Sequence, residues 1–118
     1  MSSVEELRIY KEYFYLILYT EKILCKYPKV EKYSLVSYIK NITYKGMEYI
    51  ILGYKEYDKK LKIKILNEID VMLKMQKVFI RLSYKRKYIN KRNYGAWSRK
   101  ITNVGNLLGG WIKSCVKQ

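Results

Sequence analysis

The chain contains no histidine. That removes a histidine general base, a Ser-His-Asp or Cys-His centre and the commonest metal ligand. Carboxylate pairs offer little in their place. Glu68 and Asp70 stand two apart and cannot face one another on a helix, while Glu56 and Asp58 fall in a turn. Cys25 and Cys115 lie 90 residues apart with no CxxC spacing, which argues against zinc. Gly109-Gly110 has no strand–loop–helix context and is not a phosphate loop. We therefore expect no enzyme, no cofactor, no metal and no small-molecule substrate.

The residues that can do chemistry are cations. Residues 1–70 carry 13 Lys/Arg against 10 Asp/Glu, whereas residues 71–118 carry 12 Lys/Arg and no acid. Asp70 is the last carboxylate. A stretch of 48 residues with no opposing charge repels itself, and a polyanionic partner is the natural reason to keep it. Lys74, Lys77, Arg81 and Lys85 recur at +3, +7 and +11, a basic stripe along one helix face. Lys85, Arg86, Lys87, Lys91 and Arg92 crowd one short joint. Arg99, Lys100 and Lys113 follow downstream. Phosphate contacts need only well-placed cations, and no base-reading motif is present. The expected partner is RNA or DNA, bound largely without regard to sequence. An adaptor docking an acidic protein surface is a second reading compatible with the same residues.

With 118 residues, a net charge of +15 and 49% apolar residues, the chain is one folded domain and not a disordered basic tail. It has 20 Lys, 14 Ile and 14 Tyr, a bias that an A/T-rich genome explains as well as function does. The polar, acidic start does not read as a signal peptide. The longest apolar run, residues 13–19, is too short to cross a bilayer. A basic stripe could suit anionic lipid, but the apolar faces are needed to close the fold. The expectation is a cytoplasmic protein with reduced thiols and no membrane contact.

Periodicity predicts four helices, near residues 4–26, 31–54, 61–87 and 91–116. Pro28 breaks the first from the second, and Ser34 is a possible start cap. Leu7, Tyr10, Phe14, Ile17, Leu18, Leu24 and Cys25 fall near helical spacing on the first. Its segment 13–19 is apolar all round, which favours a subunit interface over Tyr hydroxyls merely snorkelling. Ile39, Ile42, Gly46, Tyr49 and Gly53 share a face of the second, and Gly53 can also mark its end. Ile65, Ile69, Met72, Phe79 and Ile80 form the stripe of the third. Trp97, Ile101, Val104, Leu108, Trp111 and Cys115 form that of the fourth, opposite Arg99, Asn103, Asn106, Gly110, Lys113 and Lys117. Short turns make this an all-α, antiparallel up-down-up-down four-helix bundle. Cys25 and Cys115 then lie at opposite ends, unable to bond within the chain.

The stretch Val104-Gly-Asn-Leu-Leu-Gly-Gly-Trp-Ile-Lys113 resembles the closing signature of the Avd family, the accessory variability determinants of diversity-generating retroelements. Lys26-Tyr-Pro-Lys-Val-Glu-Lys-Tyr-Ser-Leu35 resembles that family's first turn, Tyr54-Lys-Glu-Tyr-Asp-Lys59 its second, and Ile80-Arg-Leu-Ser83 the end of its third helix. The resemblance implies a homopentameric barrel of four-helix bundles, a non-catalytic accessory subunit that binds a reverse transcriptase and nucleic acid and supports mutagenic cDNA synthesis. It implies a role for Lys77 and Arg81, which match an Arg-x-x-x-Arg pattern, with Lys77 lacking the bidentate fork. Leu108, Gly109, Gly110 and Trp111 read as an oligomer or packing motif, in which the two glycines let Trp111 or a neighbouring helix approach closely. Asn106 departs from the Arg usual there. A sister family encoded in intervening sequences of 23S rRNA genes usually carries an Arg-Arg-Ala-rich second helix with Ser-Ile-Pro. Ser37-Tyr-Ile-Lys-Asn-Ile-Thr43 fits that relative less well.

Overall fold

A computed structural model describes residues 3–117. The elements are a 3-10 turn (Val4–Glu6), α1 (Arg8–Leu24), a second 3-10 turn (Lys29–Glu31), α2 (Leu35–Lys55), α3 (Lys59–Lys85) and α4 (Lys91–Lys117). The described residues contain no strand. Consecutive helices pack against one another, and α4 closes the square against α1. The bundle measures 46 × 25 × 22 Å. That length suits the 27-residue α3 and α4, about 40 Å each at 1.5 Å per residue.

The boundaries differ from the sequence reading where side chains or backbone angles intervene. Leu7 is extended, at φ −66° and ψ 131°, so the first helix starts at Arg8. Pro28 is followed by one 3-10 turn, and α2 starts only at Leu35. Ser34 holds the cap position without capping. Its hydroxyl donates to Glu31 Oε1 at 2.6 Å, and the Leu35 N–H donates to the same oxygen at 3.4 Å. Asp58 starts α3 two residues early because its Oδ1 accepts from the N–H groups of Lys60 and Leu61. α3 ends at Lys85 in a Schellman arrangement. The Tyr88 N–H reaches the Ser83 carbonyl and the Lys87 N–H the Tyr84 carbonyl, each at 3.0 Å, with Lys87 left-handed at φ 64°.

The core face of α1 also needs correction. Ile9, Tyr13, Leu16, Thr20, Ile23 and Leu24 are buried, whereas Phe14, Leu18 and Cys25 are exposed. Hydrophobicity alone could not choose between faces of a helix that is apolar all round. Hydrogen bonding does. The Tyr13 hydroxyl donates to the Thr43 carbonyl at 2.5 Å and accepts from Gln76 Nε2 at 3.1 Å, tying α1 to α2 and α3. Burial pushes the Tyr13 phenol well above its ordinary range. A Cβ at Gly46 would lie 2.0 Å from that hydroxyl, so glycine makes the contact possible. On α2, Ile39, Gly46 and Gly53 are buried, but Thr43 and Ile50 complete the face and Ile42 and Tyr49 are only half-buried. Gly53 does not end the helix. A Cβ there would meet Leu66 at 2.8 Å and Trp111 at 3.5 Å. On α3, Ile69, Met72 and Ile80 are buried with Leu66, Leu73, Gln76 and Ser83, while Ile65 and Phe79 are half-buried. The α4 stripe is as read, except that Trp111 is half-buried.

Candidate nucleic-acid interface

The basic stripe of α3 faces solvent throughout: Lys74, Lys77, Arg81 and Lys85 are all exposed. It runs beside α4. Lys77 Nζ donates to Thr102 Oγ1 at 2.8 Å, and Lys74 lies 2.8 Å from Asp70 one turn earlier. Both partners of that ion pair are exposed, so it is worth well under about 1 kcal/mol and is screened by salt. A groove of about 320 Å³ between the helices is lined by Asp70, Leu73, Lys74, Lys77, Thr102 and Asn106. Arg99, Asn103, Asn106, Lys113 and Lys117 form the exposed face of α4, as its spacing predicts. Lys113 is 22 residues beyond Lys91, hence about 33 Å away along the helix. Lys100 does not join this face. It is half-buried, with its ammonium 5.1 Å from the centre of the Tyr19 ring on α1.

The joint between α3 and α4 is more ordered than a charge run suggests. Asn90 Oδ1 accepts from the Asn93 N–H at 2.8 Å and caps α4. Tyr84 and Tyr94 stack at 4.8 Å and 9°. Arg86 Nη1 reaches Glu31 Oε2 at 2.9 Å, and the Tyr88 hydroxyl donates to the same oxygen at 2.7 Å. The Tyr27 and Tyr88 rings pack at 5.2 Å. These contacts latch the joint onto the turn between α1 and α2. The hydroxyl of Ser34, then that of Tyr88, holds the Glu31 carboxyl below the ordinary carboxylate range, with Leu35 N–H and Arg86 assisting. Burial pushes Tyr27 up to about 12.

The latch brings in cations that composition conceals. Lys26, Lys29 and Lys32 belong to the half of the chain with balanced charge, yet they are exposed at the same end of the bundle as Lys85, Lys87, Lys91 and Arg92. Glu31, the acid among them, is buried and engaged. Arg86 is engaged with it. The signal available in the sequence was Glu31 itself, one acid inside a basic, proline-containing turn.

Leu108 is fully in the core. A Cβ at Gly109 or Gly110 would meet nothing within 4 Å. Inside the subunit, then, these glycines permit no close approach; Gly53 is the glycine that admits Trp111. Cys25 and Cys115 are both unbonded. Among the described residues, no helix is long and apolar enough to cross a membrane, and no cluster of three metal-ligating side chains occurs.

No curated protein matches the chain. Residues 7–115 match the bAvd-like family, a span that starts just ahead of α1 and ends near the close of α4. With α1, α2, α3 and all but the last two residues of α4 inside that match, the chain belongs to the bAvd-like family.

Proposed function

We propose that this chain is the non-catalytic accessory subunit of a diversity-generating retroelement. It acts in the cytoplasm as a homopentameric barrel that binds the reverse transcriptase together with template RNA and cDNA. The observation that carries the reading is the solvent-facing basic surface of α3 and the α3–α4 joint, in a chain with no carboxylate after Asp70. Such a surface suits phosphate, and binding to it should be steeply salt-dependent. Lys77 and Arg81 are the proposed contacts to the reverse transcriptase.

Two different apolar faces support assembly into a ring. On the α1–α2 side, Phe14, Leu18, Tyr44 and Ile51 are exposed on helices joined by a Tyr44–Glu21 hydrogen bond of 2.6 Å. On the α2–α3 side, Tyr38, Ile42, Met72, Met75 and Phe79 line a groove of about 430 Å³. Two unlike faces on one subunit favour a head-to-tail contact over a two-fold dimer, and such a contact makes a ring when its rotation closes.

Light scattering in high salt tests the assembly: five copies of 14.3 kDa give about 71 kDa, and a monomer would overturn the ring. Gly109→Leu should reduce that mass while leaving subunit stability nearly unchanged. Nucleic-acid affinity should fall about 10³- to 10⁵-fold between 50 and 200 mM salt if six to ten phosphates are contacted. A flat response would remove the nucleic-acid part. Reversing the charge at Lys77 and Arg81 should abolish capture of the reverse transcriptase and leave bulk RNA binding nearly intact.

A further inference from the structure

We infer that the latched end of the bundle is a stacking platform for single-stranded nucleic acid. The Tyr33 and Tyr84 rings take unpaired bases, and Lys29, Lys32, Lys85 and Lys87 hold the neighbouring phosphates. The inference rests on the nucleic-acid part of the proposed function and names the form of strand that this end accepts.

Three observations converge here. The first is ring exposure beside cations. Tyr33 is 86% exposed, with Lys32 Nζ 5.4 Å from its ring centre. Tyr84 is part-exposed and already stacked on Tyr94 at 4.8 Å, so a base added to it would extend an existing stack. The second is that the acids at this end are engaged: Glu21, which lines a pocket with Lys29 and Lys32, accepts from the Tyr44 hydroxyl at 2.6 Å, and Glu31 lies inside the latch. Glu31 is buried and accepts from Ser34, Tyr88 and Arg86, so its charge does not oppose phosphate. The third is rigidity. The turn that carries Tyr33 and the joint that follows Tyr84 at the end of α3 are tied together by the Glu31 contacts and by Tyr27 against Tyr88, so the backbone that presents both rings is held in place before any strand arrives.

An exposed ring beside a cation discriminates between forms of nucleic acid. In a duplex the bases are stacked on each other and only backbone and groove edges are offered. In a single strand each base has a face free, and stacking on an aromatic side chain tolerates any sequence. Phosphate contacts alone would not favour one form in this way. The opposite end supplies a control within the same molecule. Tyr57 is 98% exposed there, but it stands between Glu56 and Asp58.

The test uses the full chain at about 0.15 M salt and fluorescence anisotropy with four probes: a uridine strand, a thymidine strand, and blunt RNA and DNA duplexes of the same length. We expect at least one single strand to bind about tenfold or more tighter than its duplex. Tyr33→Leu should weaken that binding about fivefold or more, and adding Tyr84→Leu should weaken it further. Duplex affinity should change less than about twofold, and Tyr57→Leu should change nothing. Tyr33 packs in no core cluster, so its variant tests the idea even if Tyr84→Leu disturbs the joint; circular dichroism checks both. A tyrosine effect on RNA alone assigns the template strand, one on DNA alone assigns the cDNA, and one on both assigns single strands in general. Equal affinity for strand and duplex, or equal loss of both in the tyrosine variants, overturns the platform but leaves the salt-dependent scaffold standing. No salt-dependent binding to any probe would overturn the underlying reading itself.

Discussion

Replacing Gly46 by alanine should destabilise the protein, against the usual sign for a helix interior. On an exposed helix the exchange gains about 1 kcal/mol. At Gly46 the new Cβ would lie 2.0 Å from the Tyr13 hydroxyl and 2.5 Å from its Cζ. Tyr13 is wholly buried and has no route to solvent that keeps its contacts. Its hydrogen bonds to the Thr43 carbonyl and from the Gln76 amide would break, at about 1 kcal/mol each. Overpacking the junction of α1 and α2 costs about 1–3 kcal/mol more. After the helix gain is set against these losses, the net is roughly 2–4 kcal/mol, which at about 4 °C per kcal/mol lowers Tm by about 8–16 °C. Thermal denaturation followed by circular dichroism measures it, at one fixed protein concentration because assembly would shift Tm. Gly105→Ala is the comparison. Its Cβ would touch only Leu73 Cδ1, at 3.9 Å, so stability should rise by up to about 1 kcal/mol. Tyr13→Phe should reduce the damage in combination with Gly46→Ala. A Gly46→Ala protein as stable as the parent would refute the account of this junction.

Lys87→Gly should stabilise by about 1 kcal/mol, because Lys87 holds the left-handed position of a Schellman turn at φ 64°, where a Cβ is unfavourable; a lower urea midpoint would show that the lysine side chain contributes more than its backbone costs. Glu31→Gln should be most destabilising at neutral pH. Because the folded carboxyl is held below its ordinary value, its stabilisation is fully present above the unfolded value near about 4.3 and fades as pH falls through the folded one. The Tm difference between parent and variant should therefore close in acid, and a gap of constant size there would count against the latch.

Helix number, order and antiparallel closure were legible because α2, α3 and α4 alternate apolar and polar faces in sequence. The exposed stripe of α3 was legible for the same reason, since lysine and arginine mark a solvated face. What pattern reading missed came from interactions outside periodicity. The core face of α1 is chosen by the Tyr13 hydroxyl finding Thr43 and Gln76, which lie 30 and 63 residues away. The start of α2 is set by a carboxylate four residues earlier, and α3 starts early because Asp58 caps it. At the candidate site, the joint's own cations were visible as a run. Their meeting with Lys26, Lys29 and Lys32 was not, because Glu31 joins to Arg86 across 55 positions. Lys100 shows the converse: composition counts it with the other cations, and its ammonium lies over the Tyr19 ring.

The latch at Glu31 also makes the bundle mechanically lopsided. At one end, two turns far apart in sequence are bolted together by an acid, an arginine and a pair of tyrosine rings. At the other, Lys59 reaches the Val116 carbonyl across exposed surface. Local opening costs most where such ties join separate turns, so the latched end should be the last part of the subunit to open. Breathing of the subunit would then run in one direction along its long axis. In a ring of such subunits, one rim would hold its shape while the other could yield to whatever docks on it.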